Sequence, residues 1–202
     1  MSRVIAGVAR GRRLAVPAGR ATTRPTSDRA REGLFGTVQA VLGPLSGARV
    51  LDLYAGSGAV GLEALSRGAA HALLVESAPA AIRVIRTNIA VLDLPGACLA
   101  ADRVKHVLAR GPAGDRAGPD GAGTGYDFVF ADPPYATSDD EVGEMLKALG
   151  DRGWLADGAL VAVERRTGGT ALAWPRGYVE DRTRRYGDAT LWYGLAAGVR
   201  AG

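Results

Sequence analysis

The stretch VLDLYAGSGAVGLEALSRG, residues 50–68, decides the fold of this chain. It begins as an apolar strand, passes through Gly56, Gly58 and Gly61, and continues as a helical pattern over residues 59–66. A glycine-rich turn between a strand and a helix allows the backbone to approach a bound ligand closely. The stretch therefore predicts the first strand–turn–helix unit of a doubly wound α/β fold, with a ligand site at the turn.

Two acids near this turn bear on the nature of the ligand. Glu76 ends the next predicted strand, twenty residues after Gly56, where a carboxylate can accept hydrogen bonds from ribose hydroxyls. This spacing fits a nicotinamide dinucleotide as well as any other adenosine ligand. Asp52, four residues before Gly56, favours a ligand with an amino-acid ammonium group, because a carboxylate there would repel a pyrophosphate.

The rest of the chain alternates between strand and helix patterns. Strands are predicted at 50–54, 72–76, 97–100, 126–131 and 160–164, and helices at 59–66, 79–92, 104–109 and 141–149. Such alternation predicts a parallel sheet covered on both faces. Two late segments, 182–186 and 189–195, predict an antiparallel hairpin at the edge of the sheet.

Three further segments have their own patterns. Residues 4–6 and 14–16 predict a short N-terminal hairpin, and a helix follows, with Thr26 or Ser27 as its cap, as far as residue 42. Residues 110–125 are rich in glycine and proline and predict a surface loop that cannot bury a core.

The tetrapeptide Asp132-Pro133-Pro134-Tyr135 directly follows the apolar strand pattern at 126–131. Two prolines hold the chain extended, so they can fix a carboxylate, a carbonyl and a ring around a small target. An exocyclic amine of a base suits this arrangement. Asp132 and the Pro133 carbonyl can accept its two hydrogens while Tyr135 stacks on the base. The nitrogen lone pair can then attack a methyl carbon, which is catalysis by positioning.

Composition indicates a globular chain of the size of one domain. The 202 residues are 47% hydrophobic and 23% charged, and no apolar run approaches the length of a membrane span. The first residues lack the apolar core of a secretory signal. One cysteine, Cys98, excludes an internal disulfide, and too few cysteines and histidines are present for a structural zinc site. We expect a cytoplasmic protein without a metal, in which Cys98 is a small buried residue.

Positive charge is concentrated at the N-terminus. The first 36 residues carry eight arginines against one aspartate and one glutamate, whereas the whole chain has a net charge of +4. A basic end on a mildly acidic body suggests that a polyanion is held on one side. We therefore expect residues 1–43 to form a basic, nucleic-acid-binding extension of a hairpin and a helix, and residues 44–202 to form the catalytic domain.

Five blocks of the sequence together resemble a known family. RVIAGVARGRRLAVP (3–17), TRPTSDRAREGLF (23–35), DLYAGSGAVGLEALSRGA (52–69), FADPPY (130–135) and RRYGDATL (184–191) are similar, in this order, to the bacterial RsmD family. Members of this family are class I S-adenosylmethionine-dependent methyltransferases that act on N2 of a guanine in 16S rRNA. The resemblance implies a Rossmann-like, mostly parallel seven-stranded sheet with an N-terminal hairpin, S-adenosylmethionine as methyl donor, and 16S rRNA, within the small subunit or an assembly intermediate, as partner.

The resemblance also implies roles for the residues that match the family motifs. The cofactor would be bound by residues of the glycine turn and of the ends of the next two strands: Asp52, Tyr54, Ala55, Gly56, Ser57, Gly58, Gly61, Glu76, Ser77, Asp102 and Arg103. Within this set, Asp52 would lie at the methionine end, Glu76 at the ribose and Asp102 at the adenine. The catalytic amine clamp would consist of Asp132, Pro133, Pro134 and Tyr135. RNA phosphates would be contacted by Arg10, Arg12, Arg13, Arg24, Arg29 and Arg31.

Three other functions stay open on the residues alone. The clamp suits N6 of adenine as well, so a DNA methyltransferase is the main alternative, and the choice of guanine rests on the resemblance. The glycine turn and Glu76 would also suit an NAD-dependent oxidoreductase, which would not explain the clamp. A non-catalytic RNA-binding assembly factor would use the basic end alone. The sequence names neither the modified nucleotide nor the oligomeric state, for which we expect a monomer.

Overall fold

The structure is a computed structural model that describes residues 2–17, 28–112 and 125–197. The strands in these ranges are β1 (Ser2–Arg3), β2 (Arg13–Leu14), β3 (Arg49–Leu53), β4 (His71–Glu76), β5 (Ala97–Ala101), β6 (Tyr126–Ala131), β7 (Leu155–Arg166), β8 (Tyr178–Tyr186) and β9 (Ala189–Ala196). The helices are α1 (Asp28–Leu42), α2 (Ala59–Ser66), α3 (Pro79–Leu92), α4 (Val104–Arg110) and α5 (Asp139–Asp151).

Seven strands form one sheet in the order β5-β4-β3-β6-β7-β9-β8. The five strands from β5 to β7 run parallel to one another, and β9 pairs antiparallel with both β7 and β8. This arrangement confirms the predicted doubly wound sheet with a C-terminal antiparallel hairpin. β3 lies between β4 and β6, so the strand order reverses there and a crevice opens at the carboxyl ends of these strands.

Successive side chains of each parallel strand point to opposite faces, and hydrophobic cores with helix residues cover both faces of this part of the sheet. Val50 of β3 belongs to the core that also contains residues of α1, α2 and α3, and its neighbour Leu51 belongs to the core that contains residues of α4 and α5. Full burial of such a side chain is worth about 1.5–3 kcal/mol. The near-continuous apolar runs of β3 and β6 are therefore explained by burial on both sides.

The N-terminal hairpin has shorter strands than the predicted segments 4–6 and 14–16. β1 and β2 pair antiparallel over two residues each. The backbone N–H groups of Ile5 and Ala6 donate instead to the Glu63 carboxylate of α2, at 2.7 and 2.9 Å. The N–H of Ala15 likewise donates to Asn88 of α3, at 2.8 Å. The strands end early because helix side chains, not the opposite strand, satisfy these backbone groups.

The extension shares one hydrophobic core with the sheet. Val4, Ala9 and Leu14 are buried in the same cluster as Leu34 of α1 and Val50 of β3. The described part of residues 1–43 thus packs directly on the α/β body. The division of the chain at residue 43 into two functional units stays a prediction.

Other differences from the sequence predictions are local. β7 begins at Leu155 rather than at residue 160, and the register shifts between Tyr126 and Phe128 of β6, beside the start of β7. Cys98 is exposed, so its predicted burial is wrong: it lies on the edge strand β5, where its neighbours Ala97 and Leu99 contact the core and alternation directs Cys98 to the opposite face.

Two predictions concern residues outside the described ranges. The predicted cap residues Thr26 and Ser27, and residues 113–124 of the predicted loop, lie outside the described residues. Within the described ranges, none of the helices combines the length and the apolar character needed to cross a membrane.

Candidate active site at the carboxyl edge of the sheet

The glycine turn leaves β3 at the point where the strand order reverses. Tyr54, Gly56 and Gly58 all have positive φ angles, of 60°, 62° and 76°. The left-handed conformation costs a non-glycine residue such as Tyr54 about 1–2 kcal/mol. A Cβ at Gly58 would lie 2.6 Å from the side chain of Leu74, so a larger residue would force Leu74 to shift, and the positive φ also favours glycine. The backbone therefore turns sharply from strand to helix and lines the crevice.

Glu76 joins this turn to the start of α3. The N–H of Gly56 donates to Oε2 of Glu76 at 2.9 Å, and the N–H groups of Ser77 and Ala78 donate to Oε1 at 2.7 and 2.8 Å. Glu76 is buried at the carboxyl end of β4. Its carboxylate thus fixes the turn and supplies acceptors at the N-terminus of α3, where negative charge is favourable. Its predicted contact with a ribose stays a prediction.

Asp52 lies near the carboxyl end of β3, just before the turn. Its residue surface is 1% exposed, and the N–H of Gly61 donates to Oδ2 at 2.9 Å. The pKa of Asp52 is raised to about 8, chiefly by burial; the Gly61 hydrogen bond acts against this rise, and the negative charges of Asp132 and Glu76 contribute to it. A cation placed in the crevice would stabilise the ionised form of Asp52. The remaining predicted turn residues, Ala55 and Ser57, follow Asp52 within the turn itself.

Asp132 follows β6 on the other side of β3. Its N–H donates to the carbonyl of Leu53 at 3.3 Å, so the chain still follows β3 at this residue. Pro133 is buried, whereas Pro134 and Tyr135 are exposed, with 54% of the Tyr135 surface accessible. The structure thus brings Asp132 to the same crevice as the glycine turn, with the Tyr135 ring at its rim.

The segment after Tyr135 is held by three sets of contacts. The N–H of Thr137 donates to the Pro134 carbonyl at 2.8 Å, which closes a turn. Arg165 of β7 donates to the Thr137 carbonyl at 3.1 Å and to Asp139 Oδ1 at 2.8 Å. Ser138 and Glu141 form a capping box that starts α5. Sequence reasoning missed Arg165, because nothing in the sequence indicates that β7 reaches this turn.

The environment of Tyr135 shows which charges surround the rim. Burial raises the pKa of the Tyr135 phenol, and the charges of Glu164 and then Asp132 raise it further. Arg166 acts in the opposite direction. Glu164, which the sequence analysis did not select, is therefore a second acid near the clamp.

Asp102 and Arg103 lie farther from the turn, after the edge strand β5. The Asp102 carboxylate accepts from the N–H of Arg103 at 2.7 Å, contacts His106 Nδ1 at 3.0 Å and also accepts from Arg110. The hydrogen bond from the Arg103 N–H lowers the pKa of Asp102, and those from His106 and Arg110 lower it further. The carboxylate holds the first turn and the end of α4. The predicted contact of Asp102 with adenine stays a prediction.

The buried position of Arg31 contradicts its predicted role as a phosphate contact. Its side chain is fully buried and donates to Ser2 Oγ at 3.2 Å, to the Arg3 carbonyl at 2.6 Å and to Asp28 Oδ1 at 2.9 Å. Burial lowers the pKa of Arg31, against the charges of Glu63 and Asp28. A buried guanidinium cannot reach a phosphate, so this prediction is wrong, and Arg31 instead attaches β1 to α1.

The other N-terminal arginines differ from Arg31. Arg10, Arg13 and Arg29 are exposed. Arg12 is exposed as well, and its guanidinium donates to the carbonyls of Val91 and Leu92 at the end of α3. Arg24 lies outside the described residues.

A single buried side chain links the extension to the glycine turn. Nδ2 of Asn88 donates to the Ala15 carbonyl at 3.0 Å and to the Ser57 carbonyl at 2.9 Å, and Oδ1 accepts from the Ala15 N–H at 2.8 Å. Asn88 thus contacts the N-terminal extension and the turn at the same time. Its role could not be predicted from the sequence, since it lies within an ordinary amphipathic helix.

The gathered acids do not form a recognisable metal centre. Among residues 2–17, 28–112 and 125–197, no group of three or more His, Cys, Asp or Glu side chains is arranged to hold a metal ion.

The sheet order, the glycine turn at the reversal and Asp-Pro-Pro-Tyr across the crevice define a class I S-adenosylmethionine-dependent methyltransferase. A family model described as conserved hypothetical protein 95 matches residues 2–194. The protein named ribosomal RNA small subunit methyltransferase D of Escherichia coli (strain K12) is 41% identical over 162 residues, which cover 80% of this chain and 73% of that relative. The chain belongs to this family, the RsmD family.

Solved structures agree with this assignment. The structure of the putative methyltransferase yhhF from Escherichia coli has a TM-score of 0.79 and 34% identity, over 98% of this chain and 98% of that one. A hypothetical protein of Thermus thermophilus has a TM-score of 0.75 and 32% identity, over 96% of this chain and 98% of its own. The similarity covers the N-terminal hairpin as well as the sheet.

Proposed function

We propose that this protein transfers the methyl group of S-adenosylmethionine to the exocyclic N2 amine of a guanine in small-subunit (16S) rRNA. The observation that carries the proposal is the position of Asp132, Pro133 and Tyr135 at the same crevice as the glycine turn and Asp52. The name of the Escherichia coli relative, ribosomal RNA small subunit methyltransferase D, supports rRNA as the substrate. The choice of guanine N2 as the methylated atom goes beyond what that name says.

The crevice fits S-adenosylmethionine in its charges and its acceptors. When bound, this cofactor supplies an electrophilic methyl carbon and leaves as S-adenosylhomocysteine with the bonding electrons on sulfur. Asp52 is buried beside the turn, and its ionised carboxylate suits the ammonium group of the methionine part, which in turn favours that ionised form. Glu76 already accepts three N–H bonds, and because a carboxylate has about four acceptor positions, one position remains for a ribose hydroxyl. The same Asp52 disfavours the pyrophosphate of NAD.

The clamp acts on the amine of the base. The lone pair of this nitrogen is delocalised into the ring, so the amine is a poor nucleophile. Two acceptors, the Asp132 carboxylate and the Pro133 carbonyl, bind its two hydrogens and favour a pyramidal nitrogen whose lone pair points at the methyl carbon. Tyr135 provides a ring on which the base stacks. After transfer the nitrogen releases one proton, which Asp132 or water can accept.

RNA binding falls to the exposed arginines of the extension. Arg10 and Arg13 lie on the hairpin and Arg29 in the first turn of α1, and all three are exposed. Each can donate hydrogen bonds to a phosphate from its surface position. Binding of this kind weakens steeply as salt concentration rises.

The proposal is tested by methyl transfer from labelled S-adenosylmethionine to small-subunit particles, naked rRNA and duplex DNA in parallel. Mass spectrometry of the digested product then identifies the modified nucleoside, and sequencing maps its position. We expect N2-methylguanosine from one or both RNA samples and no product from DNA. Methylated adenine in DNA with none in RNA would overturn the choice of guanine and RNA and would favour the DNA methyltransferase.

A further inference from the structure

Glu164 occupies the position on β7 that corresponds to Asp132 after β6. β6 and β7 are parallel, and the pairs Phe130–Ala162 and Ala131–Val163 are in register. The next residues along the two strand directions are Asp132 and Glu164, so these two residues lie side by side. Neighbouring strands are about 4.8 Å apart, so the two residues begin close together.

Alternation directs the two acids to the same face of the sheet. Phe130 and Ala162, two residues before Asp132 and Glu164, both belong to the core on the side of α1, α2 and α3. Ala131 and Val163 belong to the core on the opposite face. Asp132 and Glu164 therefore face the crevice from neighbouring strands at the same level.

Glu164 is strongly shielded from water. Its surface is only 5% exposed, and it pairs with Leu191 of β9 across the antiparallel side of β7. Of the charges that act on the Tyr135 phenol, that of Glu164 is the strongest, followed by that of Asp132. Asp132, Glu164 and the Tyr135 ring thus surround one small region at the rim. The amine clamp uses Asp132 and Tyr135, which leaves Glu164 without a catalytic role.

The edge of guanine next to its N2 amine has a feature that a carboxylate can recognise. N1 of guanine carries a hydrogen and is a donor, whereas N1 of adenine is an acceptor. A carboxylate beside the clamped amine would accept from guanine N1–H. The same carboxylate would repel a lone pair on N1.

Resting on the proposed function, we propose that Glu164 is the specificity-determining residue that accepts the N1–H of the target guanine. It selects bases that present a donor at N1 beside the amine held by Asp132. Bases with an N1 acceptor are rejected, because a buried carboxylate then faces a lone pair without a hydrogen bond. Sites built to bond an N–H reject analogues that lack it by about 10⁴–10⁵-fold in favourable cases.

The test compares two bases that both carry an exocyclic 2-amino group. Once the modified nucleotide is mapped, RNA is prepared with guanine or with 2-aminopurine at that position, since 2-aminopurine has an acceptor at N1. We expect kcat/KM of the unaltered protein to be about 10²-fold or more higher for guanine, given the strength of a hydrogen bond to a charged group.

The variant Glu164→Gln sharpens the test. A glutamine amide can both accept from N1–H and donate to an N1 lone pair. We expect the preference for guanine over 2-aminopurine to fall by at least about tenfold, partly through faster transfer to 2-aminopurine. Glu144→Gln, an exposed acid on α5, is the matched control and should leave the preference unchanged.

Several outcomes would overturn the inference. Equal rates on the two bases with the unaltered protein would do so even if Glu164→Gln failed to fold. An unchanged preference in a Glu164→Gln protein with normal thermal stability and normal S-adenosylhomocysteine affinity would do so as well. Failure of the proposed function itself looks different: the unaltered protein would then produce no N2-methylguanosine from any RNA.

Discussion

The carboxyl edge of the sheet and the junction of the N-terminal extension both depend on charged residues, but in opposite ways. At the edge, Asp52, Glu76 and Asp132 come together where their positions in the chain predicted. At the junction, Arg31 was predicted to contact phosphate and is instead fully buried among Ser2, Arg3 and Asp28. In both regions the predicted role rested on the charge of the side chain, yet the prediction for Arg31 failed.

The difference lies in what constrains each side chain. The acids of the edge follow parallel strands, and the direction of a strand determines where its last residue lies. The arginines of the extension lie on a hairpin and a helix whose orientation depends on packing against α2 and α3. The comparison teaches that position at a strand end is a stronger guide to a site than charge alone.

The largest effect should come from Asp132. In Asp132→Ala the amine loses its charged acceptor, and loss of one preorganised group of this kind typically costs about 10²–10³-fold in rate. We expect kcat to fall by that amount while RNA affinity and stability change little, in single-turnover transfer and binding measurements. Asp140→Ala, an exposed acid at the start of α5, should behave as the unaltered protein. Normal transfer by Asp132→Ala would rule out the clamp.

Two neighbouring arginines test whether burial determines the role of a charged residue at the junction. Arg31→Met removes a buried guanidinium and leaves its acceptors without donors, so we expect the free energy of unfolding to fall by about 3 kcal/mol. Arg29→Met, at an exposed position of the same helix, should leave stability unchanged and weaken RNA binding, with a smaller salt dependence. Urea unfolding and RNA titration at several salt concentrations separate the two. The reverse pattern would mean that burial does not distinguish these arginines.

Asn88 connects the two regions and should affect both. Asn88→Ala removes three hydrogen bonds to the backbone of Ala15 and Ser57, for an expected loss of about 2 kcal/mol in unfolding free energy. Because Ser57 belongs to the glycine turn, S-adenosylhomocysteine should also bind more weakly, as calorimetry would measure. Thr87→Ala, at the exposed preceding position, should change neither quantity. A variant that lost stability with unchanged ligand affinity would show that the two regions are independent.

A further prediction concerns the pH dependence that Asp52 introduces. Since folding raises the pKa of this acid to about 8, the folded state retains a proton that the unfolded state loses near pH ~4. Stability from this group is therefore present at low pH and is lost as pH rises toward 8. Affinity for S-adenosylhomocysteine should rise over the same interval, by at most about tenfold per pH unit, because the ligand ammonium favours ionised Asp52.

Asp52→Asn provides the control for this pH dependence. The variant should show a flatter stability profile between about pH 5 and 8, measured by urea unfolding. Any titration of the ligand amine persists in the variant and can be subtracted from the binding data. Identical profiles for both proteins would mean that Asp52 does not titrate with a raised pKa.

Most of the sheet could be predicted because its periodicity is local. The segments 59–66, 79–92 and 126–131 have the predicted bounds in the structure. The extra length of β7 and the exposure of Cys98 could not be predicted in the same way. Each depends on which strand lies beside it, and strand neighbours are set by contacts between residues distant in sequence.

For the site, the glycine turn, Glu76 and the Asp-Pro-Pro-Tyr segment were found from the sequence, because backbone turns and strand ends require particular residues. Arg165, Asn88 and Glu164 were not found. Arg165 and Asn88 act on backbone atoms 28 and 73 residues away, in Thr137 and Ala15, and no local pattern distinguishes them from surface or helix residues.

The sequence by itself thus determined the alternation of strands and helices, the turn and the order of the acids along the chain. Each of these follows from the conformations that neighbouring residues allow. Only the tertiary structure decided that Arg31 is buried while Arg29 is exposed, that Asn88 joins the extension to the turn, and that Glu164 lies beside Asp132. Those outcomes depend on how whole elements pack, since burial and partnership are properties of the assembled fold and not of a residue in its own segment.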